Sequence, residues 1–221
     1  MCNVNCILFG TRNLLDEEIR GRRILEVGSC DVNGSLRPFV ESRKPSEYIG
    51  IDIVAGRGVD LICSAEDLLD RFGEESFDVV ISTELLEHVR DWRKVISNLK
   101  RVCKAGGIIL ITTRSIGFPF HSYPYDYWRY EPEDMEEIFS DCEIQVLERD
   151  PDKGVFLKAA KPLNFEEEEL PDYQLYSVAV NRRVKQISDK DLRNWHLIKL
   201  HAKRKAKDAL LKVAGRLYRL V

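Results

Sequence analysis

At 221 residues, 44% of them apolar and 32% charged, the chain is long enough for one packed domain with an appendage and too apolar to be disordered throughout. No window reaches the ~18 uninterrupted apolar residues of a membrane span, and the opening MCNVNCILFG lacks the basic region, long apolar core and cleavage site of a leader, so a cytoplasmic protein is expected. The net charge of -3 conceals an asymmetry: residues 182–221 carry 13 Lys or Arg against 3 Asp, whereas residues 1–181 carry 21 basic against 34 acidic side chains. An acidic body is a poor nucleic-acid surface, which speaks against nucleic acid as a partner and leaves the C-terminal tail as the place for any anionic one. Cys2, Cys6, Cys30, Cys63, Cys103 and Cys142 form no CxxC, so neither a zinc site nor a disulfide scaffold is suggested, and Cys103 and Cys142 are expected to pack as small hydrophobes.

Short β-branched runs alternate with helix-like segments, the rhythm of βαβ units around a parallel sheet. Strands are expected at 23–27, 48–53, 58–62, 77–82 and 108–113, the last an unbroken apolar run suited to a strand covered on both faces. A helix over 91–103 should stop at the Lys104-Ala-Gly-Gly turn. Pro132 opens a helix to about Phe139, and 144–149 with 154–160 form a hairpin at one sheet edge. Residues 162–171, with their EEEE run, read as a solvated linker or exposed loop. From about 191 to 220 the apolar positions Trp195, Ile198, Ala202, Ala206, Ala209, Val213, Leu217 and Leu220 recur at spacings of three and four among lysines and arginines, which marks an amphipathic helix. The organisation is thus a domain over 1–160, a linker over 161–181 and a basic helical tail over 182–221.

The first strand runs into ILEVGSCDVNG, where Gly28 lets a ligand approach the backbone and Gly34 loosens the approach to the next helix. Ser29 and Cys30 break the GxGxxG fingerprint, and no phosphate-cradling GxxxxGK[ST] exists. The second strand ends near Asp52, where an open α/β sheet presents an acid to the hydroxyls of a ribose. Asp60, Ala65 and Glu66 follow the third strand, and Ser82, Thr83 and Glu84 the fourth. Ligand-compatible residues at four strand ends on one edge indicate a ligand lying across that edge. His88 stands four residues after Glu84 and is either a general base or a residue that fixes the start of the helix after the strand. With no HExxH and no cluster at metal-ligand spacing, no metal is expected.

The ordered set ILEVGSCDVNGSLRP, EYIGIDI, SAEDL, FDVVISTELLEHV and LKRVCKAGGIILITT resembles the class I S-adenosylmethionine-dependent methyltransferases, in the branch of small-molecule enzymes whose fourth strand ends in a TExLEHV-like sequence. The resemblance covers residues 21–160 and implies a Rossmann-like α/β sandwich, a mostly parallel seven-stranded sheet with an antiparallel edge hairpin, and S-adenosylmethionine as cofactor. It places Glu26, Gly28 and Ser29 on the methionine side, Asp52 on the ribose, Ile53 beside the adenine, Ala65 and Glu66 at the adenine edge, and Thr83 near the sulfonium. The commonest form of the first motif has glycine where this chain has Ser29 or Cys30.

The acceptor side is expected in HSYPYDYWRYEPED, after the fifth strand. Pro119, Pro124 and Pro132 restrict the backbone there, and His121, Tyr123, Asp126, Tyr127, Trp128 and Arg129 offer aromatic walls, hydrogen bonds and a cation. The DYWR core resembles a sequence common in uncharacterised or glycan-associated members of the same family. His121 is the candidate base, and Asp126 or Arg129 the acceptor-orienting group. The alternative makes Trp128 a plug at the sheet's open end, has Arg129 pair with a buried acid, and leaves His121 an exposed loop residue. A sugar or related small polar metabolite, methylated on oxygen or nitrogen, is the favoured acceptor. The tail either packs on the domain or on a second subunit, or lies peripherally on the inner face of a membrane. A non-catalytic protein with this fold, or one that binds nucleic acid through its tail, is the competing reading.

Overall fold

The computed structural model describes residues 3–122, 124–193 and 195–218, so Tyr123 and Leu220 lie outside the described residues. In chain order the elements are α1 (Val4–Asn13), α2 (Asp16–Ile19), β1 (Arg23–Val27), α3 (Arg37–Ser42), β2 (Glu47–Asp52), β3 (Leu61–Ile62), α4 (Leu68–Phe72), β4 (Phe77–Thr83), α5 (Trp92–Val102), β5 (Cys103–Arg114), β6 (Trp128–Arg129), α6 (Pro132–Ile138), β7 (Glu143–Asp150), β8 (Gly154–Ala160), β9 (Leu175–Ser177), β10 (Arg182–Val184) and α7 (Trp195–Tyr218). Strand order in the seven-stranded sheet is β3-β2-β1-β4-β5-β8-β7. All neighbours from β3 to β5 are parallel, and β8 runs antiparallel to both β5 and β7. This is the Rossmann-like sandwich with an antiparallel edge hairpin that the sequence implies. The chain leaves β1 toward β2 and returns to β4 on its other side, so a crevice opens at the carboxyl ends of β1 and β4.

Two apolar layers cover the sheet, as strand alternation dictates. Leu25, Val27 and Val80 face one core with Leu68 of α4, Val95 and Leu99 of α5 and Met135 of α6. Ile24, Val79 and Ile81 face the other with Phe9 of α1, Ile19 of α2 and Val40 of α3. Helix α5 ends at Val102 because Cys103 is already extended (ψ 136°). The expected glycine stop is displaced: Gly106, at φ +73°, lies within β5 and sends its N–H to the Lys161 carbonyl.

A second sheet, β10-β9-β6, is absent from the sequence reading. It corrects the expectation of a linker over 161–181. Leu175 and Ser177 are fully buried, and Trp128 and Arg129 pair with Ser177 and Tyr176. The acidic run is exposed but tethered, since Glu167 accepts from Ser97 and Glu168 from Ser140. Helix α7 forms, yet a neighbouring face docks: Leu197 is fully buried with Phe120, Val178 and Ala179, whereas Trp195 and Ile198 are 77% and 44% exposed. Among the described residues no helix is long and apolar enough to cross a membrane.

Candidate active site

Across the carboxyl ends of β1, β2 and β4 lies a cleft of about 440 Å³. On one side it is lined by Gly28, Asp52, Ile53, Val54, Ala65 and Glu66, on the other by Glu84, Leu85, His88, Ser122, Tyr125 and Tyr127. Gly28 turns the chain at φ +83°, and a Cβ there would press on Leu85 Cβ and Cδ1 at 3.2 Å. The turn is therefore both left-handed and crowded, and glycine lets the backbone form the cleft floor. Asp52 accepts from the N–H groups of Cys30 and Val54, both at 3.2 Å. An ionised carboxylate offers about four lone-pair sites, so Asp52 keeps capacity for two ligand hydroxyls. Ile53 and Val54, 68% and 54% exposed, hold bare aliphatic surface at the rim, suited to the face of a purine. Asn98 fixes the adjoining turn through the Ala65 carbonyl at 2.9 Å.

Of the residues expected to hold cofactor, Gly28, Asp52, Ile53, Ala65 and Glu66 line this cleft. Glu26, Ser29 and Thr83 are set back from it, each 2% exposed. Glu26 points to the α1–α3 side, where the Tyr48 hydroxyl donates to it, and burial lifts its pKa to about 7 despite that bond and the nearby Arg37. Ser29 packs its side chain against Gly50. Asp60, spent on the Gly50 N–H at 2.7 Å and Arg37 at 2.8 Å, does not line the cleft.

On the opposite wall Glu84 sits at φ +56°, buried and paired with Arg114, which also reaches Asp150 at 3.2 Å. Burial and the neighbouring Glu87 push the Glu84 carboxyl well above its usual range although Arg114 pulls the other way. His88 lines the cleft as expected and anchors Nδ1 on the Tyr125 carbonyl at 2.6 Å. A carbonyl only accepts, so Nδ1 carries the proton and Nε2 presents its lone pair. Nε2 lies 3.7 Å from Glu87 Oε1. Glu87 is fully buried and accepts from Thr113 Oγ1 at 2.9 Å. Burial alone would raise its pKa, but His88 and His121 outweigh that and hold it low; burial in turn lowers that of His88.

The acceptor-side residues are arranged differently from expectation. Asp126 and Arg129, 1% exposed, do not line the cleft; they pair with each other at 2.5 and 3.0 Å. Buried charges persist only when matched, so this pair is a brace and not an acceptor clamp. Burial would push the Asp126 pKa up, yet the His121 ring beside it and its hydrogen bonds from Arg129 hold it down at about 2. Trp128 is fully buried, its indole N–H on the Arg90 carbonyl at 3.2 Å, which is the plug alternative. His121 lies behind His88, ring centroids 4.7 Å apart, with Nδ1 3.1 Å from Asp126 Oδ2 but poorly aligned for a hydrogen bond. The sequence reading missed Glu87, and the loop contributes Ser122 and Tyr125 at the cleft in place of its charged members.

The site is a nucleotide cleft at the switch point of an open α/β sheet, with a carboxylate and an aliphatic rim on one wall and imidazole and phenol on the other. A family model described as a methyltransferase domain matches residues 7–202, and the chain belongs to that family. It is 34% identical over 112 residues to the chloroplastic tocopherol O-methyltransferase of Arabidopsis thaliana, covering 44% of this chain and 32% of that protein. Against a ubiquinone biosynthesis O-methyltransferase of Idiomarina loihiensis it is 29% identical over 106 residues, 42% of each chain. The chain thus spans less than half the length of these curated relatives. The crystal structure of the Burkholderia thailandensis 1,6-didemethyltoxoflavin-N1-methyltransferase with bound 1,6-didemethyltoxoflavin and S-adenosylhomocysteine superposes with a TM-score of 0.59 at 13% identity, covering 71% of this chain and 78% of that one. The unsaturated Asp52, the Gly28 floor and the bare Ile53 and Val54 fit the adenosyl part of S-adenosylmethionine.

Proposed function

We propose that this protein transfers a methyl group from S-adenosylmethionine to a hydroxyl of a small polar acceptor, a sugar or related metabolite, held against His88, Ser122 and Tyr125. The observation that carries the reading is the meeting of two differently built walls in one cleft. When bound, the cofactor supplies an activated methyl: the new bond forms to the acceptor oxygen, the sulfur–carbon bond breaks with its electron pair left on sulfur, and one proton is released. The protein's task is alignment, water exclusion and handling of that proton. His88 lines the cleft with Nδ1 held by the Tyr125 carbonyl, and ionised Glu87 stands 3.7 Å from Nε2, where it would stabilise an imidazolium. Tyr125 and Tyr127 supply the apolar wall. Two relatives named as O-methyltransferases favour oxygen over nitrogen.

Calorimetric titration with S-adenosylhomocysteine tests the reading. Binding is expected, and Asp52→Asn should weaken it about tenfold or more, ~1.4 kcal/mol, because the amide puts a donor where hydroxyls donate. Well-folded protein that binds neither S-adenosylmethionine nor S-adenosylhomocysteine would leave only a non-catalytic protein with this fold.

A further inference from the structure

Glu87, His88 and His121 bring one lone-pair atom each to a common point. The carboxylate oxygen and the two imidazole nitrogens all lie within 4.8 Å of one another. Among the described residues Glu87 Oε1 has no hydrogen-bond partner, though it is fully buried. It stands 3.7 Å from His88 Nε2 and 4.0 Å from His121 Nε2. The far sides of His88 and Glu87 are engaged in a way that turns these lone pairs inward. His88 Nδ1 is held by the Tyr125 carbonyl, and Glu87 Oε2 by the Thr113 hydroxyl. His121 Nδ1 faces Asp126, which is itself clamped by Arg129. Three acceptors converging with no donor among the described residues repel one another, and a buried acceptor without a partner is costly. A cation at the centre removes both problems.

The geometry points to a divalent metal site at Glu87, His88 and His121, taking a first-row transition ion with further coordination positions open toward the cleft. Two imidazoles and a carboxylate are a donor set for Zn²⁺, Mn²⁺, Fe²⁺ or Co²⁺ rather than for the all-oxygen cations. Ligands at ~2.1 Å from one ion stand roughly 3.0–3.4 Å apart. The two separations from Glu87, 3.7 and 4.0 Å, therefore close by up to about an ångström on binding, and the widest, within 4.8 Å, by up to about 1.8 Å. Outer partners that fix each imidazole by its second nitrogen are the usual companions of metal-bound histidine. Glu84, three residues earlier, is paired with Arg114 and is not one of the set. The role of the ion rests on the methyl-transfer reading above, but its binding does not. An acceptor hydroxyl that ligates the ion loses its proton to solvent more readily, so with the ion bound His88 holds the metal in place of taking that proton itself. An acceptor bearing a second oxygen beside the methylated one, a vicinal diol or a hydroxycarbonyl, can fill two open positions and is the favoured class.

The test uses the full chain, stripped with a chelator and titrated separately with Mn²⁺, followed by electron paramagnetic resonance, and Co²⁺, followed by visible absorption. Each should saturate at a single ion per chain, with Mg²⁺ competing poorly. His121→Asn, whose side chain does not line the cofactor cleft, should weaken ion binding more than about tenfold while S-adenosylhomocysteine affinity stays within about twofold. Glu87→Gln, checked for folding by the same cofactor titration, should do likewise. Absence of saturable ion binding by protein that binds S-adenosylhomocysteine overturns the site, as does ion binding undiminished in both variants. Ion binding without cofactor binding would keep the site and sink the methyl-transfer reading.

Discussion

Glu26 shows how a single buried carboxyl writes itself into pH dependence. It is 2% exposed, hydrogen-bonded by Tyr48, and burial raises its pKa from 4.5 to about 7. Below pH 4.5 the proton is held in folded and unfolded chains alike. Between that pH and about 7 only the folded chain keeps it, so this contribution to stability falls as pH rises through the window. The full loss amounts to about 3 kcal/mol at ~1.4 kcal/mol per pKa unit. Glu26→Gln keeps an acceptor for Tyr48 and removes the titration; urea unfolding across pH 4 to 8 should then show the wild-type slope flattened by that amount. Equal slopes in both proteins would contradict this account. Its seat behind the cleft was the part of the site least legible in the sequence. The resemblance puts Glu26 on the methionine side, but Leu25 and Val27 share one core and Ile24 the other, so alternation carries Glu26 to the α1–α3 face. Asp52 and Gly28 were legible because a strand end and a left-handed turn leave local signals.

At the scale of elements, the loop after β5 is braced by charge. Asp126 accepts both Arg129 guanidinium nitrogens and the His121 backbone N–H at 2.7 Å, and the Tyr127 N–H donates to the Glu87 carbonyl at 2.8 Å. Arg129→Leu strands a buried carboxylate and should cost about 3–5 kcal/mol by chemical denaturation, whereas Asp126→Asn with Arg129→Leu should cost less than the sum of the single changes. Wild-type stability in Arg129→Leu would show the pair to be incidental. The strand pattern was readable because each core strand is a short β-branched run, but the pairing of Asp126 with Arg129 was one of two readings that composition could not separate. The meeting of Glu87 with His121 crosses 33 positions and has no spacing to read. Helix α1 was overlooked although Cys6, Phe9 and Gly10 are buried at helical spacing. Gly10 masked it, and the glycine is there because a Cβ would stand 2.5 Å from Leu36 of the segment leading into α3.

For the whole molecule, the segment beyond β8 is a clamp on the cleft wall that carries His88, Ser122 and Tyr125. The guanidinium of Arg93 on α5 donates to the carbonyls of Leu170, Tyr173 and Lys185, and that of Arg90 donates to the Ile187 carbonyl and pairs with Asp189 at 2.7 Å. Strand β9 then pairs with β6, and Leu197 of α7 closes on Phe120, next to His121. These contacts join residues distant in sequence through short two- and three-residue strands, which periodicity is too short to reveal. The family match ends at residue 202, inside α7, so the docked first turns belong to the domain while the basic stretch after them extends from it. Leu197→Ala should therefore cost about 2–5 kcal/mol, the usual range for emptying a buried leucine site. It should also speed amide hydrogen exchange over residues 115–127 and 175–184 well before the strands β1, β4 and β5 respond. Replacing Lys203, Arg204, Lys205 and Lys207 by Gln, all exposed, should shift stability by no more than about 0.5 kcal/mol per site and leave that exchange unchanged. If Leu197→Ala instead accelerated exchange evenly across the sheet, the clamp would be part of the global fold and would hold no separate control over that cleft wall.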